Sequence, residues 1–334
     1  MSELVFFFNH AVMGGLVISS IYAMGAIGVT LVFGILRFAH FAHAEMMTAG
    51  ALFALVLAMA APGVDAATGL PAAFVLLPIA MAATALLAIL LDRAFYRPLR
   101  EAQVKPVVMV MASIGVTLML QGLIRLIVGT QAQPLYVASR KDIFRIPVPF
   151  EGARDLVVTE PQIMLVGFVA VAVVALHLFL TRSRIGKAMR AMSDNPDLAR
   201  VTGINADHVV WATWVIAGAL AAAAGTLLSL DVTLKPDLSF NLLLPIFAAA
   251  IVGGVGKPYG AVAGGFIVGF AESLAVFNWS VLLRPIDRAL PPDLIAMPTQ
   301  LSFVSTEYKI VVPFFILVAV LVWRPTGLFR GRIL

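Results

Sequence analysis

The sequence predicts an all-α fold: a polytopic transmembrane helical bundle with eight or nine membrane segments, some of them broken. Three observations lead to this prediction. Of 334 residues, 61% are hydrophobic and only 12% are charged, against roughly 25% charged in ordinary soluble domains. Apolar stretches recur along the whole chain, and many have about the 20 residues that a helical span requires. The basic residues fall mainly in the short stretches between them.

The apolar stretches are predicted to be helices, because inside a bilayer every backbone polar group needs an internal partner. Buried parallel strands are the alternative, but most of these stretches are too long for strands and are rich in Ala, Leu and Met. Their approximate bounds are 5–33, 44–61, 70–92, 107–128, 161–181, 209–230, 240–254, 259–278 and 308–323.

The Lys and Arg residues of the short loops predict the orientation, because such residues are enriched on the cytoplasmic side of a membrane. The 93–106 loop carries four of them and the 182–208 loop carries five, so both loops are predicted to be cytoplasmic. Two spans separate these loops, as they must if both face one side. In 129–160, four basic residues are balanced by four acidic ones, and this stretch is predicted to lie outside together with the N-terminus.

Two stretches depart from the simple pattern of full spans. The prolines and alternating apolar residues of 129–160 predict a short extended or hairpin structure. The apolar stretch 240–254 corresponds to only about 22 Å of helix, and a run of glycines follows it. Two half-helices meeting within the membrane and two complete spans both fit this region. Gly-interrupted segments around 34–50 and 253–269 are also the pattern expected of broken helices that frame a midplane pathway.

The most informative polar stretch is 181–205, which reads TRSRIGKAMRAMSDNPDLARVTGIN. Asn195 is a suitable N-cap, Pro196 suits the first helical position, and Gly203 suits a left-handed cap at the end. A short helix over 196–202 is therefore predicted. A further helical turn or two before it should present Ala188, Met189 and Met192 as an apolar face that requires a partner. A plain topogenic loop is the alternative interpretation.

The 181–205 stretch resembles the coupling segment of the branched-chain amino-acid permease family of ABC importers. Two further signatures resemble the same family: the N-terminal one contains Phe41, Ala42 and His43, followed by Glu45, Met46 and Met47, and the C-terminal Gly-rich one covers 245–269. The sequence is closest to the shorter of the two paired permeases of that family. The coupling pattern is matched by Thr181, Gly186, Arg190, Ala191, Asn195, Pro196, Ala199, Gly203 and Ile204.

The resemblance implies a single permease domain over 1–334, with a cytoplasmic coupling loop at 182–208 and a periplasmic loop at 129–160. The protein would sit in the bacterial inner membrane and import branched-chain or other hydrophobic amino acids. Its partners would be ABC ATPase subunits, a related second permease and a periplasmic substrate-binding protein. The residues assigned to ATPase coupling are Gly186, Arg190, Ala191, Asn195, Pro196, Ala199, Arg200 and Gly203.

By the same resemblance, the N-terminal signature lies near the translocation path. The family usually has Asn before the Phe-Ala-His triplet and Gly after it, whereas this sequence has His40 and Ala44. This departure affects the expected substrate choice but not the permease assignment. The residues assigned to the path are His40, Phe41, His43, Glu45, Gly253, Gly254 and Glu272.

Each of these polar residues also has a structural interpretation. On one helix Glu45 would lie about 140° from His40 and about 160° from His43, so no metal site is predicted. The histidines could line the pore, stabilise a kink or anchor the helix near the interface. Glu272 falls in an apolar run, where a charge is costly unless it is paired or hydrated. It should contact a pore, an interface or a neighbouring helix.

Other functions are less compatible with the sequence. No Gly-x-x-x-x-Gly-Lys-Ser/Thr motif is present, so ATP hydrolysis would occur on a partner. There is no zinc-protease or nucleophile-elbow motif, and the chain has no cysteine, so no enzyme, catalytic residue or cofactor is predicted. Nucleic acid is not expected, because the net charge of +5 forms no continuous basic patch. The alternative is an ion-coupled secondary transporter of small polar solutes, with Glu45 and Glu272 as its candidate intramembrane carboxylates.

Overall fold

The computed structural model describes residues 2–137, 140–147, 155–289 and 300–329, and most of them are helical. In chain order the helices are α1 (Ser2–Leu36), α2 (His43–Ala60), α3 (Val64–Thr68), α4 (Ala72–Val75), α5 (Leu77–Glu101), α6 (Pro106–Val128), α7 (Glu160–Arg182), α8 (Arg184–Asp194), α9 (Pro196–Val201), α10 (Ala206–Asp231), α11 (Phe240–Gly253), α12 (Pro258–Val276), α13 (Ser280–Ala289) and α14 (Val311–Trp323).

Seven of these helices are long and apolar enough to cross a membrane, namely α1, α2, α5, α6, α7, α10 and α12. The shorter helices α11 and α14 are also apolar. The prediction of an all-α bundle with eight or nine membrane segments is therefore confirmed.

Helix α5 extends further than its apolar stretch predicted. The 93–106 stretch was expected to be a loop, but the helix continues to Glu101 through a π-helical stretch at Asp92–Tyr96. Two ion pairs stabilise this extension: Arg100 contacts both carboxylate oxygens of Asp92 at 2.5 and 3.0 Å, and Arg97 pairs with Glu101 at 2.8 Å. The prediction was wrong because charged side chains that pair along a helix let it extend beyond the apolar segment.

Helices α1 and α10 form the centre of the bundle. In each of them, 83% of the residues in the most apolar 18-residue stretch are buried, whereas in α7 this share is 22%. Helix α1 packs along α12, α10 and α11, and α10 packs against α5 and α2. The outer helices α6 and α7 therefore present most of their apolar surface to the surroundings, as expected of helices in contact with lipid or with a second membrane subunit.

Glycines allow the central helices to approach closely. A Cβ atom on Gly225 of α10 would collide with the carbonyl oxygen of Met47 in α2, and one on Gly265 of α12 would lie 2.5 Å from the backbone nitrogen of Ala23 in α1. Small residues are favoured at such contacts because lipid provides no hydrophobic drive between helices, so that van der Waals packing has to stabilise them.

The predicted extended structure in 129–160 is a two-stranded antiparallel sheet. Strand β1 (Ile143–Ile146) pairs with β2 (Leu156–Thr159), and Ile143 lies opposite Thr159. Residues 148–154, between the strands, lie outside the described ranges. Nearby, Lys141 Nζ contacts Asp231 Oδ1 at 3.0 Å, which joins this sheet to the end of α10.

Contacts near the chain termini define the two ends of the bundle. The side chain of Asn9, near the start of α1, bonds to the backbone of Asp155 and Val157, so the N-terminus lies at the end that carries 129–160. The other end of α1 meets the 182–208 segment, where Arg37 Nη2 donates to Ser193 O at 3.1 Å. The two loops thus lie at opposite ends of α1.

Two more segments lie at the 182–208 end. The guanidinium of Arg93 lies 4.9 Å from the centre of the Trp211 ring, which brings the end of α5 to the start of α10. The chain after α14 is fixed there as well, because Leu328 N donates to Val252 O at 2.9 Å and Phe329 N donates to Gly253 O at 3.2 Å. These carbonyls belong to the last turn of α11, which has no further helical partners for them.

Helices α11 and α12 form a hairpin whose turn covers 254–257. Gly256 approaches Gly34 and Ser193, so the turn lies at the 182–208 end rather than in the middle of the membrane. The structure has neither of the two arrangements that the sequence left open: a short helix of 14 residues is followed by one of spanning length.

We expect Gly225→Val to destabilise the bundle strongly, because the added side chain must separate α10 from α2. Overpacking of this kind typically costs about 1–3 kcal/mol. Gly167→Val is the matched control, because Gly167 lies in the interior of α7 with no atom within 4 Å of an added Cβ. The midpoint of thermal unfolding in detergent should fall for Gly225→Val and stay near the parental value for Gly167→Val. Equal midpoints would contradict the packing argument.

Candidate translocation and coupling sites

The chain leaves its helical path between α1 and α2. Arg37 ends α1 with φ +63, a left-handed conformation that non-glycine residues adopt at some cost, and its N–H donates to Phe33 O at 3.0 Å. The backbone becomes helical again at His43. The predicted break near 34–50 is therefore present, and it is formed by an arginine rather than by one of the glycines.

His40 lies at the centre of a buried aromatic cluster inside this break. Its Nε2 is hydrogen-bonded to the hydroxyl of Tyr96 at 3.1 Å, and its ring lies 5.0 Å from that of Trp214. Tyr96 and Trp214 stack on each other with a centroid distance of 5.4 Å. All three side chains are fully buried, so the break is packed against α5 and α10.

His43 and Glu45 occupy the first turn of α2, and both are fully buried. The ring of His43 packs so closely on Gly28 that a Cβ there would lie 2.6 Å from Nε2. Within the described part of the chain, neither His43 nitrogen and neither Glu45 carboxylate oxygen has a hydrogen-bond partner. The start of a helix favours a negative charge, which is consistent with a carboxylate at this position.

The sequence predicted one helix that carries His40, His43 and Glu45. In the structure the helix begins at His43, so His40 lies before it and the predicted angle between His40 and Glu45 does not apply. Across residues 2–137, 140–147, 155–289 and 300–329, no group of three His, Cys, Asp or Glu side chains is arranged to hold a metal ion.

Phe41 connects the break to two further helices. Its N–H donates to Ser113 Oγ in α6 at 2.9 Å, and its ring stacks on Phe247 of α11 with a centroid distance of 4.9 Å. Phe41 is partly exposed. His40, Phe41, His43 and Glu45 therefore form one region around the break.

The other predicted path residues lie elsewhere. A Cβ on Gly253 would collide with the carbonyl oxygen of Gly260, and Gly254 has φ +110, so these two glycines form the α11–α12 hairpin. Glu272 lies near the far end of α12 and is 3% exposed. The seven residues assigned to the path thus occupy three separate places.

Sequence reasoning missed the two partners of Glu272. The hydroxyl of Tyr22 in α1 donates to Glu272 Oε2 at 2.6 Å, and Lys309 Nζ lies 3.7 Å from Oε1. The sequence does indicate that Tyr22 needs a polar partner, because a buried tyrosine hydroxyl within an apolar span usually forms a hydrogen bond. For Lys309 there is no such indication, because only the fold brings the residue before α14 to α12.

The caps predicted in the 182–208 segment are present in the structure. Asn195 Oδ1 accepts from Leu198 N at 3.1 Å and starts α9, and Gly203 follows the helix with φ +85. Ser183 Oγ accepts from Gly186 N at 2.8 Å and starts α8. A Cβ on Gly186 would collide with the carbonyl oxygen of Phe179, so this glycine permits the sharp corner between α7 and α8.

The apolar face that the sequence predicted for α8 is directed inward. Met189 and Met192 are buried in the core of this chain, and Ala188 is partly buried against it. The face therefore already has its partner. The most exposed apolar side chains of the 182–208 segment are Leu198 and Val201 of α9, which are 61% and 85% exposed.

The remaining predicted coupling residues surround this exposed surface. Arg190 and Arg200 are exposed, Ala191 and Pro196 are half-buried, and Ala199 is buried. A cavity of about 300 Å³ lies between α8, the end of α1 and the α11–α12 turn. Arg190 and Lys257 form part of its wall.

Long apolar helices around a buried polar break, with a capped helix pair at one end, form the architecture of a multi-pass membrane protein. The family described as "Branched-chain amino acid transport system / permease component" matches residues 11–321, and the chain belongs to this family. The resemblance drawn from its three sequence signatures is thereby confirmed.

Several relatives match almost the whole chain. The high-affinity branched-chain amino acid transport system permease protein LivH of Escherichia coli is 31% identical over 98% of this chain and 97% of the relative. BraD of Pseudomonas aeruginosa, whose description is otherwise the same, is 28% identical over 97% of this chain and 96% of its own. These relatives are transport permeases and not enzymes. No solved structure matches the chain significantly.

We expect Tyr96→Phe to destabilise the protein by about 1–3 kcal/mol, because it leaves a buried nitrogen of His40 without its hydrogen bond. Tyr259→Phe is the control: it removes the same kind of bond, to His177 at 2.9 Å, where both residues are exposed and water can replace the hydroxyl. The thermal midpoint in detergent should fall only for Tyr96→Phe. A similar fall in both variants would show that burial of the His40 pair is not the cause.

Proposed function

We propose that the chain is the transmembrane permease subunit of an ATP-driven ABC importer in the bacterial inner membrane. Its cargo would be branched-chain or other hydrophobic amino acids, delivered by a periplasmic binding protein. The observation that carries this proposal is the family membership over nearly the whole chain, together with a capped helix pair at the basic end of the bundle. ATP would be hydrolysed on separate ATPase subunits, because the sequence has no phosphate-binding loop.

Helix α9 is the proposed contact with the ATPase. Its two exposed apolar side chains, Leu198 and Val201, suit a groove on a partner surface. The caps at Asn195 and Gly203 make the helix short and rigid, so that movement of the partner is transmitted rather than absorbed by a frayed loop. The exposed Arg190 and Arg200 would meet acidic residues of the ATPase.

The Arg37 contact gives this movement a route into the membrane. The guanidinium of Arg37 holds the end of α8 at Ser193 O, and three residues later His40 begins the buried cluster. A displacement of α8 by the ATPase would therefore act first on the break between α1 and α2. The buried polar groups at His43 and Glu45 are the proposed place where the path opens.

The proposed orientation has the 182–208 end in the cytoplasm and the 129–160 end in the periplasm, because the basic loops collect at the former. A related permease would complete the membrane unit and form the path with this chain. An ion-coupled secondary transporter is the competing function, in which the chain alone would move solute down an ion gradient without ATP.

The orientation can be measured directly, because the chain contains no native cysteine. We expect Lys187→Cys to react with a membrane-impermeant maleimide only after the inner membrane is opened, and Gln131→Cys to react in intact spheroplasts. Both positions are exposed at their respective ends. Labelling of both from the outside would contradict the proposed orientation.

Coupling through α9 can be tested at its C-terminal cap. Gly203→Val puts a β-branched residue at φ +85, which should cost about 1–3 kcal/mol locally. No atom lies within 4 Å of the added Cβ, so the spans should insert as before. In the complete transporter, we expect the variant to lose ATPase stimulation by loaded binding protein.

Gly203→Asn serves as the control, because Asn tolerates the left-handed conformation far better, and this variant should keep the stimulation. If Gly203→Val binds the ATPase subunits and transports substrate as well as the parental protein does, α9 is only a connection between helices. Amino-acid uptake by the permease alone, driven by an ion gradient without ATP, would favour the secondary-transporter alternative.

A further inference from the structure

A second cavity, of about 340 Å³, lies at the 129–160 end of the bundle. The start of α1, the end of α12 and the segment before α14 enclose it. The side chains that matter for its chemistry are Phe6, His10, Ile18, Glu272, Val276 and Lys309. Its volume is within the range of small-molecule sites, which are mostly apolar with a few polar groups at fixed positions.

The charges of this cavity are one carboxylate and one ammonium, held slightly apart. Tyr22 fixes Glu272 through Oε2 at 2.6 Å, whereas Oε1 faces Lys309 Nζ at 3.7 Å. A charge-assisted bond between such groups is normally about 2.7–2.9 Å long. A carboxylate can accept about four hydrogen bonds and a lysine can donate three, so both groups can bind a further polar partner.

The two groups also differ in mobility. The Glu272 side chain is 3% exposed and anchored by Tyr22, while the Lys309 side chain is 53% exposed and extends from the loop before α14. A fixed anion beside a movable cation can adapt to a ligand that carries both charges. Ile18, Val276 and Phe6 provide an apolar wall beside them.

We propose that this cavity binds an α-amino acid with an aliphatic side chain, as the position that receives substrate on its way into the permease. The ligand's ammonium group binds Glu272 Oε1, its carboxylate binds Lys309 Nζ, and its side chain packs on the apolar wall. One α-carbon joins the two ligand charges, which matches a pair of protein charges that are close but not in tight contact. This inference deepens the proposed function and rests on it.

A lipid tail does not suit the same cavity, because burying it beside Glu272 would leave the carboxylate poorly solvated. A simple anion or a simple amine would satisfy only one of the two charges. The aliphatic zwitterion is the ligand class that uses both charges and the wall.

The test uses a reporter cysteine at the rim of the cavity, since the chain has none of its own. Thr306→Cys, which lines the cavity, is labelled with maleimide in the complete transporter in proteoliposomes. We expect L-leucine to slow the labelling. Leucinol, which lacks the carboxylate, and 4-methylpentanoate, which lacks the ammonium group, should each need at least about tenfold higher concentration for the same protection. Gln131→Cys, at the same end but outside the cavity, should label at one rate with or without ligand.

Glu272→Gln and Lys309→Met, each combined with the reporter cysteine, should raise the half-protecting concentration of L-leucine by at least about tenfold. Co-purification of each variant with the ATPase subunits and the second permease checks that the complex has assembled. If a variant does not assemble, the comparison of L-leucine with its two analogues still tests the proposal. That comparison uses Thr306→Cys alone, in which Glu272 and Lys309 are both present.

Two outcomes separate this inference from the proposed function. If the parental transporter imports leucine with ATP but leucine does not protect Thr306→Cys, or protects no better than its two analogues, the cavity is not the receiving site and the proposed function stands. If the parental transporter imports no branched-chain or other hydrophobic amino acid with ATP, the proposed function fails and the assignment of this cavity fails with it.

Discussion

The absence of water inside a bilayer is the constraint on which the rest of this structure depends. It requires each spanning segment to satisfy its own backbone hydrogen bonds, and it removes the hydrophobic drive between helices. Contact between the helices then relies on close packing. The contact of Gly225 with Met47 brings α10 and α2 into backbone contact. The centre of the bundle combines such contacts at small residues with large buried side chains, among them Trp214 and Met24.

The same constraint explains why some of the buried polar side chains are paired across helices. A lone polar side chain in hydrocarbon is costly, so His40 is placed where Tyr96 can reach it, and Glu272 where Tyr22 and Lys309 can. Each group joins helices that are distant in sequence. The two groups lie at different ends of α1: one is at the break between α1 and α2, and the other is beside the cavity at the 129–160 end.

The sequence was most informative where the physical cause is local. Asn195 and Gly203 could be assigned as caps because a cap depends on three or four neighbouring residues, and the spans could be found because their length is set by the membrane. Burial of Met189 and the pairing of Glu272 with Lys309 could not be predicted, since both depend on how distant segments pack. The extent of α5 was missed for a different reason: its apolar stretch ends before its helix does.

The contact of the segment after α14 with α11 affects how α11 folds while the protein is being translated. Val252 and Gly253 receive their hydrogen bonds from Leu328 and Phe329, which leave the ribosome more than seventy residues later. Until then the last turn of α11 must be satisfied by water or by insertion machinery near the membrane surface. The α11–α12 hairpin therefore remains unfinished until Leu328 and Phe329 have been synthesised and have reached it.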